Sequence, residues 1–173
     1  MKKIVKYFLI ALLLPIGVFF SLAFFLPSIQ YESKITVNKP VDLSFKVFSS
    51  PFSLSAWIPG LKNVRWISGK QNVLGSKWEM TIEEGDNEYV VTEELITYKE
   101  NELFVIRMEN EDIINNVEVR FTNKGNESEI CSSNHSTAKN FFQKPFFLFF
   151  KSSLKKRDEE MYKRLKRLIE VIN

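Results

Sequence analysis

The sequence predicts an α+β domain of roughly 140 residues carried behind one N-terminal apolar helix. Three observations predict it. Residues 7–26 form an unbroken apolar run without a single charge. Between residues 31 and 135, apolar side chains recur at every second position in short runs separated by Gly, Asn and Asp, the pattern of antiparallel strands joined by tight turns. From residue 145 the spacing changes to three and four, the period of an amphipathic helix.

The first segment is long enough to cross a bilayer, since twenty residues at about 1.5 Å each span roughly 30 Å. Pro15 and Gly17 are tolerated in such helices, and Pro27 supplies a stop. Lys2, Lys3 and Lys6 precede the run, which places the amino terminus in the cytoplasm and the domain outside it. The competing reading is a cleaved signal peptide and a secreted domain, with Ser21 and Ala23 as the small residues before Phe24. The expected division is an anchor over residues 1–27 and a single domain over residues 28–173.

Within the domain, residues 31–37 alternate, with Tyr31, Ser33, Ile35 and Val37 on one side, and form the first strand. Asn38 is placed to cap a helix over residues 40–48, where Val41, Phe45 and Phe48 share a face. A second short helical piece over residues 51–58 ends at the turn Pro59-Gly60. Strands follow at residues 64–68, 77–83, 88–97, 103–108, 116–122 and 128–135. Connections this short make neighbours in sequence neighbours in space. The last helix carries its apolar stripe through Phe146, Phe147, Phe150, Leu154, Met161, Leu165, Leu168 and Ile172, and lies with that stripe against the sheet.

Composition excludes several classes of function. The formal charge is +3, and once Lys2, Lys3 and Lys6 are set aside basic and acidic residues are equal in number, so no basic excess points to nucleic acid. One Cys and one His allow neither an internal disulfide nor a Cys/His zinc site within one chain. Phosphate-cradling glycine loops, dinucleotide fingerprints and serine nucleophile elbows are missing, and no cofactor or metal is indicated. Nothing in the sequence sets an oligomeric state.

The order strand, two short helices, six-strand meander and long terminal helix resembles that of the helix-grip fold. Residues 35–80, ITVNKPVDLSFKVFSSPFSLSAWIPGLKNVRWISGKQNVLGSKWEM, resemble the opening of the START/Bet v 1-like (SRPBCC) superfamily, in particular its polyketide cyclase/dehydrase and lipid-transport branch. The matching features are the alternating first strand, Lys39-Pro40 followed by Val41 and Phe45, the turn from Trp57 to Pro59-Gly60, and Gly75 before the third strand. The resemblance implies a curved antiparallel sheet gripping the last helix, with an apolar cavity between them for a lipid or other hydrophobic small molecule.

The residues themselves nominate the cavity lining: the large apolar side chains on the inner face of the sheet and the facing stripe of the helix. These are Trp66, Trp78, Met80, Ile82, Phe104, Ile106, Met108, Val119, Phe121, Phe146 and Phe150. The plainer alternative is that they pack on one another as core. The Phe-rich stretch at residues 140–150 exceeds what one helix face can bury, so part of it lines a pocket or touches lipid. Cys131 and His135 lie about 13 Å apart along an extended strand, too far to form a nucleophile and base. In each of the pairs Glu83-Glu84 and Glu93-Glu94, one member at most points inward. Arg107 has the parity of the solvent face, and the basic residues between Lys151 and Arg167 form the solvated side of the helix or an attraction for anionic headgroups. The sequence thus leads to a membrane-anchored binding protein for a hydrophobic molecule or lipid. The alternatives are a cyclase/dehydrase-type enzyme using an inward carboxylate or His135, and a protein-interaction module whose cavity its own side chains fill.

Overall fold

The computed structural model describes residues 2–25 and 28–172. Seven strands make one antiparallel sheet: β1 (Ile29–Val37), β2 (Leu61–Ser68), β3 (Lys77–Glu84), β4 (Asn87–Lys99), β5 (Leu103–Glu109), β6 (Ile113–Asn123) and β7 (Ser128–Ala138). Their spatial order is β1-β7-β6-β5-β4-β3-β2. Strands β2 to β7 are therefore a meander, while β1 sits at the far edge beside β7. Two helices, α2 (Val41–Ser49) and α3 (Leu54–Trp57), connect β1 to the opposite edge. The helix α1 (Lys2–Phe25) precedes the sheet, and a single 3-10 turn at Phe141–Gln143 leads into α4 (Lys144–Val171). The α+β class and the order of elements are those the sequence predicts.

Alternation decides which face each strand buries. In β1, Ile29, Tyr31, Ser33 and Val37 are buried and Gln30, Glu32, Lys34 and Thr36 exposed; in β3, Trp78, Met80 and Ile82 are the buried set. Glu84 pairs with Asn87 across a two-residue turn in which Gly85 adopts φ +63°, a conformation that costs glycine little. Register slips between Leu61 and Asn63, Trp66 and Ser68, and Leu95 and Thr97 mark bulges. Bulges sharpen the twist and bend a strand, so the sheet cups around whatever lies on its inner face.

Helix α4 packs chiefly on β1 and α3, with further contacts to α2 and β7. Its buried side chains Asp158, Tyr162, Leu165 and Ile169 recur at three and four residues, and Phe147 lies eleven residues, about three turns, before Asp158. Leu165 and Ile169 are wholly buried in the main core with Val37, Phe45 and Ile130, each worth about 1.5–3 kcal/mol. Pro145 falls in the first turn, where its missing N–H costs nothing. The helix leans toward the β1 edge, so the inner face of β3 to β5 is left without a helix directly against it.

Local expectations are corrected in three places. Asn38 does not cap α2: Pro40 occupies the N-cap position, and the Asn38 backbone N–H instead donates to Glu170 at 3.1 Å. The expected helix over residues 51–58 contracts to one turn, Leu54–Trp57, because the Ser53 hydroxyl bonds the carbonyls of Val47 and Ser50 and holds the preceding residues in a turn. The strand expected over residues 64–68 begins earlier, at Leu61, and as an edge strand it leaves Trp66 and Ser68 exposed, with Val64 half-buried.

The expected stop at Leu26 and Pro27 lies outside the described residues. Within α1 no residue of the apolar stretch Lys3–Ser21 is fully buried. Its last turns touch α4: the Phe19 ring meets Phe146 at 4.9 Å, edge to face. Phe20 meets Phe142 at 5.9 Å.

Candidate functional site

Because α4 leans toward β1, a cavity of about 270 Å³ remains between the sheet and the helices. Its floor is made by every second residue of adjacent strands: Trp78, Met80 and Ile82 from β3, Val91, Glu93 and Leu95 from β4, Phe104, Ile106 and Met108 from β5, and Val117 and Val119 from β6. Leu154, Asp158, Met161 and Tyr162 of α4 form one wall, and Phe48 and Trp57 close the end. All three tryptophans of the chain, Trp57, Trp66 and Trp78, line this space. Trp57 stacks on Phe48 at 5.4 Å, and Trp66 meets Trp78 at 5.4 Å.

Of the eleven side chains the sequence nominates, the structure brings eight to this cavity: Trp66, Trp78, Met80, Ile82, Phe104, Ile106, Met108 and Val119. Trp66 sits at the rim and is 41% exposed. The other three are placed elsewhere. Phe121 is buried near the end of β6, but its ring packs on Phe45 at 4.9 Å and Phe48 at 5.3 Å under α2. Phe146 and Phe150 lie on the first turns of α4, beyond the cavity, and line a separate surface groove of about 640 Å³ together with Phe147 and the turn at Pro59-Gly60. Both remain about half exposed. Groove and cavity share Pro59, Ile113, Leu154 and Arg157 as lining. Arg157 stands where they meet, paired to Glu84 at 3.3 Å, donating to the Tyr89 hydroxyl and lying 5.5 Å from that ring.

Three carboxylates line the cavity, Glu109 and two that are buried, Glu93 and Asp158. Glu93 is buried, with Val91 and Leu95 as its neighbours on the same face, and no ion pair reaches it among the described residues. Burial pushes its pKa up to about 7, offset in part by the Trp78 indole directly across the ladder. Glu94 points the other way and pairs with Lys77 at 3.1 Å. Glu83 pairs with Lys62 on the outside.

Asp158, also buried, faces a row of small polar residues on the inner side of β7. Asn134 Nδ2 donates to Ser132 Oγ at 3.0 Å and, at a longer 3.4 Å, to Asp158 Oδ2; Asn115 Nδ2 donates to Asn134 Oδ1 at 3.0 Å, and Ser136 Oγ to Asn115 Oδ1 at 2.9 Å. Burial first of all raises Asp158 to about 6, countered by the neighbouring Ser33 hydroxyl. Burial and the Asp158 charge together push Tyr31 up to about 12 and Tyr162 higher still. Both phenols therefore stay protonated.

Carboxyl groups that titrate near neutrality can exchange protons with a bound molecule, and perturbed groups of this kind cluster at functional sites. His135 takes no part: it is exposed on the outer face of β7, of opposite parity to Asn134 and Ser136. Cys131 lies on that outer face too, opposite Lys34 and Arg120. Arg107 faces solvent beside Glu109. No group of three or more His, Cys, Asp or Glu side chains suited to a metal occurs among the described residues.

Sequence reasoning missed Asp158 and the polar row of β7. Asp158 stands four residues from both Leu154 and Tyr162, on the buried stripe of α4, and that position is the signal that identifies it. Glu93 is marked the same way by the apolar residues two places to either side.

A family model described as "Polyketide cyclase / dehydrase and lipid transport" matches residues 28–170. A search of curated proteins by sequence finds no match. Among solved structures, norcoclaurine synthase from Thalictrum flavum superposes with a TM-score of 0.63 at 18% identity, over 84% of this chain and 96% of that one. A major latex-like protein from Panax ginseng gives 0.67 at 11% identity, covering 84% and 99%. A conserved protein from Geobacillus kaustophilus gives 0.67 at 13%, covering 82% and 95%. Likeness at these identities is a likeness of fold.

Proposed function

The chain belongs to the polyketide cyclase/dehydrase and lipid transport family, and from that premise we propose that it holds a hydrophobic small molecule or lipid in the cavity between the sheet and α4, beside a membrane to which α1 tethers it. The observation that carries this reading is the cavity itself: about 270 Å³ walled mainly by tryptophan, methionine, phenylalanine and aliphatic side chains. Small-molecule sites are concave, mostly apolar and few in number. A filled interior, which would favour an interaction module, is not what the lining describes.

Two features support the membrane part. The apolar stretch Lys3–Ser21 is of spanning length and has a mean hydropathy of 2.2. The end of α1 packs on the Phe-rich start of α4, where Phe142, Phe146, Phe149 and Phe150 are exposed next to the groove. On this reading residues 1–27 are the anchor, residues 28–173 are the binding domain outside the cytoplasm, and the ligand reaches the cavity through the groove on the bilayer side. The experiment is to purify the full chain in lipid nanodiscs, extract what it retains and identify it by mass spectrometry. Retention or uptake of an apolar compound at one per chain is the expected result. A chain that retains nothing and accepts no apolar probe refutes the reading.

One observation favours a second reading, an enzyme of the cyclase/dehydrase kind: Glu93, buried in the cavity with a pKa of about 7, has the properties of a general acid or base. Turnover of a bound ligand that Glu93→Gln abolishes even at saturating ligand would select it.

A further inference from the structure

The cavity's charged lining is one-sided. Glu93 and Asp158 line it from opposite walls, and Glu109 stands at its rim, already paired outward to Lys139 at 2.6 Å. Neither lysine nor histidine lines it among the described residues. Its one cation, Arg157, is occupied by Glu84 and by the Tyr89 hydroxyl. Asp158 has Asn134 as a donor; Glu93, only 4% exposed, has the neutral Trp78 indole beside it and no cation. A carboxylate buried in this way is costly unless a partner reaches it. Trp57, Trp66, Trp78, Tyr31, Tyr89 and Tyr162 line the same cavity, aromatic rings of the kind that attract cations.

We propose that the ligand is a small amphipathic amine, a single ring or short alicyclic body bearing one ammonium group, with the ammonium against Glu93 and the apolar body against Trp78, Trp66 and Met80. This rests on the cavity being a ligand site and names the class of molecule it takes. The volume of about 270 Å³ lies just under the roughly 300–1,000 Å³ of ordinary small-molecule sites. It suits one ring with a short chain and is too small to enclose a two-chain phospholipid. A fatty acid is disfavoured by charge, because its carboxylate would meet Glu93 and Asp158 with no free cation to answer it.

The tryptophans make the test direct, since all three report from the cavity wall. The full chain in phosphatidylcholine bicelles is titrated with 2-phenylethylamine, 2-phenylethanol and 3-phenylpropanoate, reading intrinsic fluorescence against protein-free bicelles. The amine is expected to bind about tenfold or more tightly than the alcohol, as a charge-assisted hydrogen bond in a dry site would give, and the carboxylate most weakly. Glu93→Gln is expected to abolish the preference for the amine over the alcohol; Glu93→Asp, which keeps the charge, is expected to keep the preference. Equal binding of all three probes by the unaltered protein overturns the charge assignment and leaves the cavity as a neutral site. Amine preference that survives Glu93→Gln overturns the role of Glu93. If no probe changes the fluorescence, the ligand-binding reading itself fails.

Discussion

Replacing Glu93 with glutamine keeps the shape of the side chain and removes its titration, so the change isolates the effect of burying that one carboxyl. An ordinary glutamate titrates at 4.5 and Glu93 at about 7, chiefly because burial disfavours its charge. At about 1.4 kcal/mol for each tenfold, the difference amounts to about 3 kcal/mol. The sign follows from which state holds the proton. Between these two pH values the folded chain keeps a proton that the unfolded chain has lost. Stability is therefore full below about pH 4.5, falls as pH rises toward 7, and stays low above it. The glutamine variant has no such loss. The gap between variant and parent is expected to widen by about 3 kcal/mol from acid to pH 8, with the variant gaining, or by about 6–12 °C in Tm for a domain of this size. Asp158, raised to about 6, lowers both curves alike and cancels in the difference. Urea unfolding of the ligand-free chain in nanodiscs, followed by tryptophan fluorescence from pH 4 to pH 8, measures it. A gap that does not change with pH would refute the assignment of Glu93 as a buried carboxyl without a counter-charge.

Arg157→Ala removes the side chain at the junction of groove and cavity; ligand association and dissociation are both expected to accelerate in stopped-flow fluorescence while affinity changes little, since an exposed pair such as Arg157 with Glu84 is worth at most about 1 kcal/mol. Unchanged rates would rule out entry by that route. Leu165→Ala, at a fully buried position of α4, should cost about 2–5 kcal/mol in denaturant unfolding, whereas Phe149→Ala, 73% exposed, should stay within about 0.5 kcal/mol; similar costs at both sites would contradict the orientation of the helix. Gly60→Ala should destabilise the domain by more than about 1 kcal/mol, because Gly60 has φ +74° and a Cβ there would meet the carbonyl oxygen of Glu83. A thermal melt indistinguishable from the parent's would show that this turn is free to move.

What could be read from the sequence depended on whether one period dominated locally. In β3 and β5 the alternation of Trp78, Met80 and Ile82, and of Phe104, Ile106 and Met108, is uninterrupted, and both the strand and its inner face follow from it. In β7 the inward positions Ser132, Asn134 and Ser136 are polar, as are Ser133, His135 and Thr137 between them. No hydrophobic period is present there, and the polar wall of the cavity could not be found by looking for one. Pairing alone places it, since Ser132 lies opposite Val119 and Asn134 opposite Val117. Phe121 has the right parity and the wrong position: it lies near the end of β6, where α2 covers the sheet. Phe146 and Phe150 belong to the stripe of α4 by spacing, but their turns extend past the cavity. Side-chain period gives the face, and only the tertiary path of the helix gives the extent of what that face covers.

The placement of β1 has a consequence for how the molecule is assembled. Its register partners are residues 128–136, so Glu32 and Ser133, neighbours in the sheet, are separated by 101 positions of chain. The hairpins of β2 to β7 can form as each is synthesised, but the edge strand made before them has nothing to pair with until the whole meander exists. Contacts this distant slow the search for the native state, and during that wait the tryptophan-bearing concave surface stands open, because α4 emerges later still. If α1 is held in a bilayer as proposed, the nascent chain passes that vulnerable interval beside a surface that can shelter exposed rings, and locking of β1 and α4 together would then mark the moment at which the domain becomes independent of that shelter.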